Sequence, residues 1–145
     1  MSILQQHVRR AASVLALAAL LGACSHGPHQ PGGHDVTLTG AQEVPANTST
    51  ASGGSSIRVA HDRSVSGGVR YTGMLATVAH IHEAPVGANG PVIVPLVKTA
   101  DGMFAVPAGT LLTPSQHASY QAGNLYVNVH SAAYPAGEIR AQLKP

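Results

Sequence analysis

The stretch GNLYVNVHSAAYPAGEIRAQL, residues 123–143, contains two short runs in which apolar and polar residues alternate. Apolar residues share one parity in LYVNVH, and they do so again in EIRAQL. Because successive side chains of a strand point to opposite faces, each run predicts a strand with one face in the core. The intervening SAAYPAG, with Pro135 and Gly137, is typical of a hairpin loop. The stretch therefore predicts an antiparallel hairpin.

Similar runs recur from Asp35 onwards, separated by turn residues at fairly even spacing. This pattern is typical of a small antiparallel sandwich or barrel. Thr113 as N-cap, followed by a proline and by Gln116 completing a capping box, predicts one short helix at 114–121. The sequence thus predicts an all-β domain over residues 35–145 with one helix, and strands at 35–39, 55–61, 66–73, 75–82, 91–97, 103–106, 125–130 and 138–143.

Residues 1–23 predict an export signal, because Arg9 and Arg10 precede an apolar run at 11–21. That run is too short for a bilayer-spanning helix, which needs about 20 residues. The end of the run, LGAC, resembles a bacterial lipoprotein processing site in which Cys24 becomes the lipidated first residue. An ordinary signal peptide, or a buried helix with a chance cysteine, is the alternative.

A lipidated Cys24 would make the membrane a partner of this protein and place it in the bacterial cell envelope. The resemblance favours the outer membrane, facing the periplasm or the surface, because Ser25 after the cysteine carries no acidic retention signal. Residues 24–34 then predict a flexible His/Gly/Pro tether. Its histidines could bind metal loosely, but a plain polar linker is the simpler interpretation; they are His26, His29 and His34.

Charge and cysteine usage narrow the possible functions further. Two of the eight basic residues are Arg9 and Arg10 in the predicted signal, so the six remaining ones balance the six acidic residues. This balance gives no electrostatic basis for binding nucleic acid. Cys24 is the one cysteine of the chain, so lipidation would leave no disulfide. Stability must then come from the core, with a metal as a further source.

Histidines occupy alternating polar positions in two predicted strands. In 75–82 the apolar Leu75, Ala79 and Ile81 share the inward parity, which leaves His80 and His82 on the other face. In 125–130 that polar face carries Tyr126, Asn128 and His130. We expect these side chains on the outer, solvent-exposed face of the sheet.

The predicted hairpin places polar residues of the last strand beside this face. Its expected register sets His130 opposite Glu138 and Asn128 opposite Arg140, with Cβ atoms about 5 Å apart. Glu138 could then orient a ligating imidazole or act as a weak fourth ligand. Tyr126, Asn128 and Arg140 are further candidates for such a supporting role.

Three neutral imidazoles suit copper or zinc and do not suit calcium or magnesium, which prefer oxygen ligands. Two histidines at i and i+2 of a strand can converge on one ion, with the third from a neighbouring strand. The sequence therefore predicts one metal site at His80, His82 and His130, with copper first and zinc as the alternative. The opposing interpretation is a pair of exposed polar residues beside a loop. Three other residues are not expected to be ligands. We expect His61 to be semi-buried, His117 to be solvated, and Glu43 to be solvated or hydrogen-bonded.

Three blocks resemble a known family: LTGAQEVPA (38–46), AHIHEAPVGANGPVIVPL (79–96) and GNLYVNVHSAAYPAGEIRAQL (123–143). They look like the signature blocks of the CHRD domain, named for its occurrence in chordin. The resemblance implies a β-sandwich or barrel of Greek-key or immunoglobulin-like character. Bacterial members are typically secreted or lipid-anchored.

The histidine pattern has a more distant likeness to copper/zinc superoxide dismutases. Those Greek-key barrels also hold copper through an HxH and a histidine that ends a VxVH-like strand. The long zinc-binding loop and the disulfide pair have no equivalent here, so the likeness implies at most one open copper site, with Arg140 near enough to attract an anion.

Three functions follow from these observations. The first is a lipid-anchored protein that binds one metal ion. The second is a copper-dependent enzyme similar to superoxide dismutase, which uses the same site. The third is a module without metal that presents the loops at 83–91 and 131–137 to a protein or to the cell wall.

Overall fold

The computed structural model describes residues 34–145. The predicted signal, Cys24 and most of the predicted tether, with His26 and His29, lie outside the described residues. His34, the last tether residue, is exposed, and its backbone N–H donates to the Lys144 carbonyl at 3.2 Å. Within residues 34–145 there is no helix with the length and apolar character needed to cross a membrane.

Short antiparallel strands and one helix make up the described chain. A 3-10 turn, Gly40–Gln42, follows the first strand. The elements are β1 (Val36–Thr39), β2 (Ser52–Ser55), β3 (Arg58–Val59), β4 (Val65–Ser66), β5 (Gly68–Thr72), β6 (Ala76–Glu83), β7 (Val92–Pro95), β8 (Val97–Ala100), β9 (Met103–Ala105), α1 (Pro114–Gln121), β10 (Leu125–Ser131) and β11 (Ile139–Gln142).

Nine of these strands form one sheet in the order β7-β6-β10-β11-β1-β2-β5-β9-β8, and β3 pairs with β4. The two edge strands, β7 and β8, are consecutive in sequence and are separated by Leu96 alone. Leu96 is buried, and its N–H donates to the Ala79 carbonyl of β6 at 2.9 Å. The chain thus bends from one edge of the sheet to the other, and the sheet is nearly closed. This confirms the predicted all-β sandwich or barrel.

The interior is filled mainly by Val, Ile, Leu and Ala side chains. Burial of each larger apolar side chain contributes roughly 1.5–3 kcal/mol. The inward parity of the predicted hairpin is correct, since Leu125, Val127 and Val129 belong to the apolar core and Tyr126 does not. The core also includes Ile139 and Ala141 of β11 and Leu143 just after it, with Leu38, Ile81, Phe104 and Tyr120 from other elements.

Strand β10 lies between β6 and β11 and fixes the register of the histidines. Asn128 pairs with Arg140 of β11, as predicted, and with His80 of β6. Tyr126 pairs with His82. The polar residues of three neighbouring strands therefore share one face.

That face is not exposed to solvent, and the expectation that it would be is wrong. All seven residues of β10 are buried, and Asn128 and Arg140 are each only 2% exposed. Arg140 donates to the loop that follows β6, through the Ala88 carbonyl at 2.8 Å and Asn89 Oδ1 at 3.1 Å. Loops therefore cover the outer face, which local alternation cannot indicate.

Several local predictions also need correction. The predicted strand 55–61 is divided between β2 and β3, and 66–73 between β4 and β5. Leu75 lies before β6 and is 92% exposed, because a β-bulge shifts the register at this end of the strand. His61 is exposed in a turn instead of semi-buried.

The short helix is predicted correctly. Thr113 accepts from the Gln116 N–H, and the Gln116 side chain accepts from the Thr113 N–H, so the capping box is complete. His117 on this helix is not freely solvated: its ring lies near that of Tyr120, and its Nε2 is buried without a hydrogen-bond partner among the residues that the structure describes.

Candidate metal centre

His80, His82 and His130 come together on the covered face of the sheet. One ring nitrogen of each lies within 4.8 Å of the others. His80 and His82 are two residues apart on β6, and His130 is near the end of β10. The cluster that the sequence predicted is therefore present. His82 and His130 are both 8% exposed, and His80 is half-buried.

His82 is oriented by the loop after β6. Its Nδ1 lies 2.9 Å from the Gly90 carbonyl oxygen. A carbonyl can only accept, so Nδ1 must carry the proton and Nε2 must carry the lone pair. That Nε2 is buried and has no hydrogen-bond partner within the described part of the chain. A buried lone pair without a donor is unfavourable unless another electron acceptor, such as a metal ion, is bound there.

His130 is oriented in the same way by the hairpin loop. Its Nδ1 lies 3.0 Å from the Pro135 carbonyl oxygen, which again places the proton on Nδ1. Its Nε2 is directed at the cluster, 3.1 Å from His80 Nδ1 and 3.0 Å from Asn128 Oδ1. Ligating histidines commonly donate their other N–H to a carbonyl or carboxylate in this manner.

All three imidazoles favour the neutral form. Burial lowers the pKa of His80, and the neighbouring charges of His130 and His82 lower it further. Burial also lowers the pKa of His82 and of His130, although in each the hydrogen bond to a backbone carbonyl opposes the shift. Because metals bind the neutral imidazole, protons compete weakly for this site at neutral pH.

One wall of the site is formed by Tyr126. Its ring is stacked on His82, with centroids 4.7 Å apart and planes 6° from parallel. The Arg140 guanidinium carbon lies 3.4 Å from the centre of the same ring. Tyr126 Oη also accepts from the Gly90 N–H at 3.3 Å. Tyr126 therefore supports both His82 and the loop that orients it.

Arg140 and Glu138 make side-chain contacts different from those expected. Arg140 is buried and bonded to the loop, so it holds that loop in place instead of facing incoming anions. The Glu138 carboxylate accepts from Ser49 Oγ at 2.6 Å. No hydrogen bond joins it to the three histidines in the part of the chain that the structure describes.

Glu43 is a buried residue that sequence reasoning placed outside the site. It is 6% exposed, and its Oε1 has no hydrogen-bond partner among residues 34–145. Burial raises its pKa to about 7, while Arg140, the Val44 backbone and the Asn128 side chain lower it in part. No local signal in AQEVPA distinguishes this glutamate from a solvated one.

The donor set fits a borderline metal ion. Three neutral imidazoles are the ligands that zinc and copper accept, and they are poor ligands for calcium or magnesium. The buried lone pair of His82 and the inward lone pair of His130 are also what a cation would require.

A family model for the CHRD domain matches residues 35–143. The chain belongs to the CHRD domain family. No curated protein and no solved structure matches the chain significantly. The likeness to superoxide dismutases therefore remains an expectation from the sequence.

The CHRD domain contains the whole histidine cluster and the groups that orient it. His80, His82 and His130 lie within residues 35–143, as do the carbonyls of Gly90 and Pro135. The two loops that carry these carbonyls belong to the blocks that suggested the family. The segments that resemble the family are therefore the ones that build the histidine cluster.

Proposed function

We propose that this CHRD-domain protein binds a single metal ion through His80, His82 and His130. The observation that supports this most strongly is the pair of Nε2 lone pairs on His82 and His130. Backbone carbonyls fix both rings so that these lone pairs face the cluster. A single cation between the rings would satisfy both of them.

Copper is the ion we favour, with zinc as the alternative. Divalent copper binds nitrogen donors more tightly than divalent zinc does, as the Irving–Williams order states. No thiolate belongs to this cluster, so we expect a three-nitrogen copper site and not a blue electron-transfer centre.

Metal loading of the full chain, purified in detergent without a histidine tag, tests the proposal. We expect elemental analysis after copper loading and desalting to give about one copper per chain, from the single three-imidazole site. The double variant His80→Ala/His130→Ala should lose this copper and keep the far-ultraviolet spectrum of the wild type.

Two control variants locate the binding. His61→Ala/His117→Ala removes two histidines outside the cluster and should load like the wild type. A variant with alanine at His26, His29 and His34 should do the same. Full copper binding in the His80/His130 variant, lost only in the tail variant, would contradict the proposal.

We also propose that the protein is exported and anchored through a lipid on Cys24. The support is the order of basic residues, apolar run and LGAC at the start of the chain. Cys24→Ala should abolish incorporation of labelled palmitate and release the protein from the membrane fraction. Unchanged labelling in that variant would reject the anchor and leave the metal site unaffected.

A further inference from the structure

Asn128 lies beside the histidine cluster on strand β10. It pairs in register with His80 on one side and with Arg140 on the other, and it is almost completely buried. Its Oδ1 lies 3.0 Å from His130 Nε2.

This arrangement has more lone pairs than protons. The Nε2 atoms of His82 and His130 are acceptors, because their protons lie on Nδ1. Asn128 Oδ1 is an acceptor too, so two nitrogens and one oxygen turn lone pairs inward. His80 Nδ1 can supply one N–H to His130, at 3.1 Å, and the surplus remains. A cation in their midst would satisfy all of them.

The distance between the amide oxygen and His130 suits two ligands of one ion. Ligand atoms about 2.1 Å from an ion, at angles between 90° and 110°, are about 3.0–3.4 Å apart. The observed separation of 3.0 Å lies at the lower end of that range. An amide oxygen beside three imidazoles is an acceptable donor for either copper or zinc.

Glu43 lies close to the nitrogen end of the Asn128 amide. A point one bond length from the Gly137 Cα, where a Cβ would lie, is 2.5 Å from Glu43 Oε1 and 2.7 Å from Asn128 Nδ2. The carboxyl and the amide nitrogen therefore meet in the space left by this glycine. The Asn128 side chain is also among the groups that lower the pKa of this carboxyl and so favour its ionised form. When the carboxyl is ionised, an amide flip would turn Oδ1 towards it, oxygen against oxygen.

We propose that Asn128 Oδ1 is the fourth ligand of the metal centre and that Glu43 is the positioning residue that keeps this oxygen directed at the ion. The inference rests on the proposed function, since it needs a metal at the three histidines. Asn128 is a sequence neighbour of the ligand His130, whereas Glu43 acts through Asn128 and lies 85 positions earlier than it in the chain.

Four variants of the full chain test the two roles, with Zn²⁺ affinity from competition with a chromophoric chelator as the first measurement. Asn128→Leu removes the oxygen at similar volume and should weaken binding about 100-fold. Asn128→Asp keeps an oxygen at this position and should bind about 100-fold more tightly than Asn128→Leu. Glu43→Leu should weaken binding about tenfold. Glu43→Gln, which can still accept from the amide, should restore it.

The visible spectrum of Co²⁺ bound to each variant is the second measurement, because it responds to the ligand set and not to stability. We expect Asn128→Leu and Glu43→Leu to shift the cobalt bands in the same direction, and Glu43→Gln to leave them unchanged. If Asn128→Leu has wild-type affinity and a wild-type spectrum, Asn128 is not the fourth ligand. If Glu43→Leu differs from wild type only in stability, the positioning role is wrong.

Failure of the proposed function gives a different result. In that case the wild type and His80→Ala/His130→Ala bind Zn²⁺ and Co²⁺ equally, whatever residue stands at 128. A wild type that binds both ions through the histidines, with no effect at Asn128, overturns the fourth ligand alone.

Discussion

Two backbone carbonyl oxygens decide which nitrogen of each buried histidine is available. The Gly90 carbonyl takes the Nδ1 proton of His82, and the Pro135 carbonyl takes that of His130. Neither residue attracts notice in the sequence except as part of a turn. Residue types and strand parity identified the imidazoles, but the orienting groups depend on loop conformation, which they do not determine.

Glu43 should make stability depend on pH in a way that can be isolated. Its folded pKa of about 7 lies above the ordinary value of 4.5, so the folded state holds this proton longer than the unfolded state does. The resulting stabilisation is complete below pH 4.5 and is lost as the pH rises towards 7. Its size is at most about 3 kcal/mol.

Urea unfolding of wild type and Glu43→Gln between pH 4.5 and 8, with a chelator present, measures this contribution. The three histidines act with the opposite sign, because their lowered pKa values make stability rise as the pH increases through their titration range. They are common to both proteins, so the difference between the two curves reports Glu43. We expect the free energy of unfolding of the variant to rise relative to that of the wild type as the pH increases. Parallel curves would contradict a raised pKa for Glu43.

At the scale of elements, strands with clear alternation were predicted with their register, whereas β2 and β8 were largely missed. Strands β10 and β11 alternate clearly, and the register of Asn128 and Arg140 followed from the length of the loop between them. Strand β2 has the sequence SGGS, which resembles a loop, and it exists because β1 and β5 pair with it on both sides. Strand β8 is exposed throughout and lacks any apolar periodicity.

Gly90 is a position where the loop and the site can be tested together. A Cβ there would collide with the Glu83 carbonyl and approach Ala84 Cβ to 2.9 Å, so the backbone must shift. Such a shift moves the carbonyl that orients His82. We expect Gly90→Ala to lower the free energy of unfolding by about 1–3 kcal/mol and to weaken metal binding about tenfold.

Gly54→Ala is the matched control for Gly90→Ala. A Cβ at Gly54 meets nothing within 4 Å, and this strand position does not require glycine. Chemical unfolding and zinc titration should give values close to those of the wild type for this variant. If Gly90→Ala has wild-type metal affinity despite lower stability, the carbonyl of residue 90 does not orient His82 for binding.

For the whole molecule, the covering of the outer face explains why the site was located correctly but assigned to the wrong environment. The polar parity of β6, β10 and β11 was read correctly from the sequence. Its burial comes from loops that fold back over the strands, as the bonds between Arg140 and residues 88–89, about 50 positions earlier, illustrate. Polar residues on a strand therefore indicated a shared face and gave no information on its exposure.

Metal binding should stabilise the entire barrel, because the ligands come from two adjacent strands held by two separate loops. An ion that binds the folded state alone adds about 2.7 kcal/mol at a free concentration 100 times Kd. For a domain of this size that corresponds to a rise in Tm of roughly 10 °C. We expect this shift in thermal melts of the wild type with copper or zinc. The His80→Ala/His130→Ala variant should show none, since its remaining imidazole cannot link β6 to β10.

A wild type whose Tm does not move at excess metal would favour the alternative of a non-metal interaction module. An equal shift in both proteins would place the ion elsewhere on the chain.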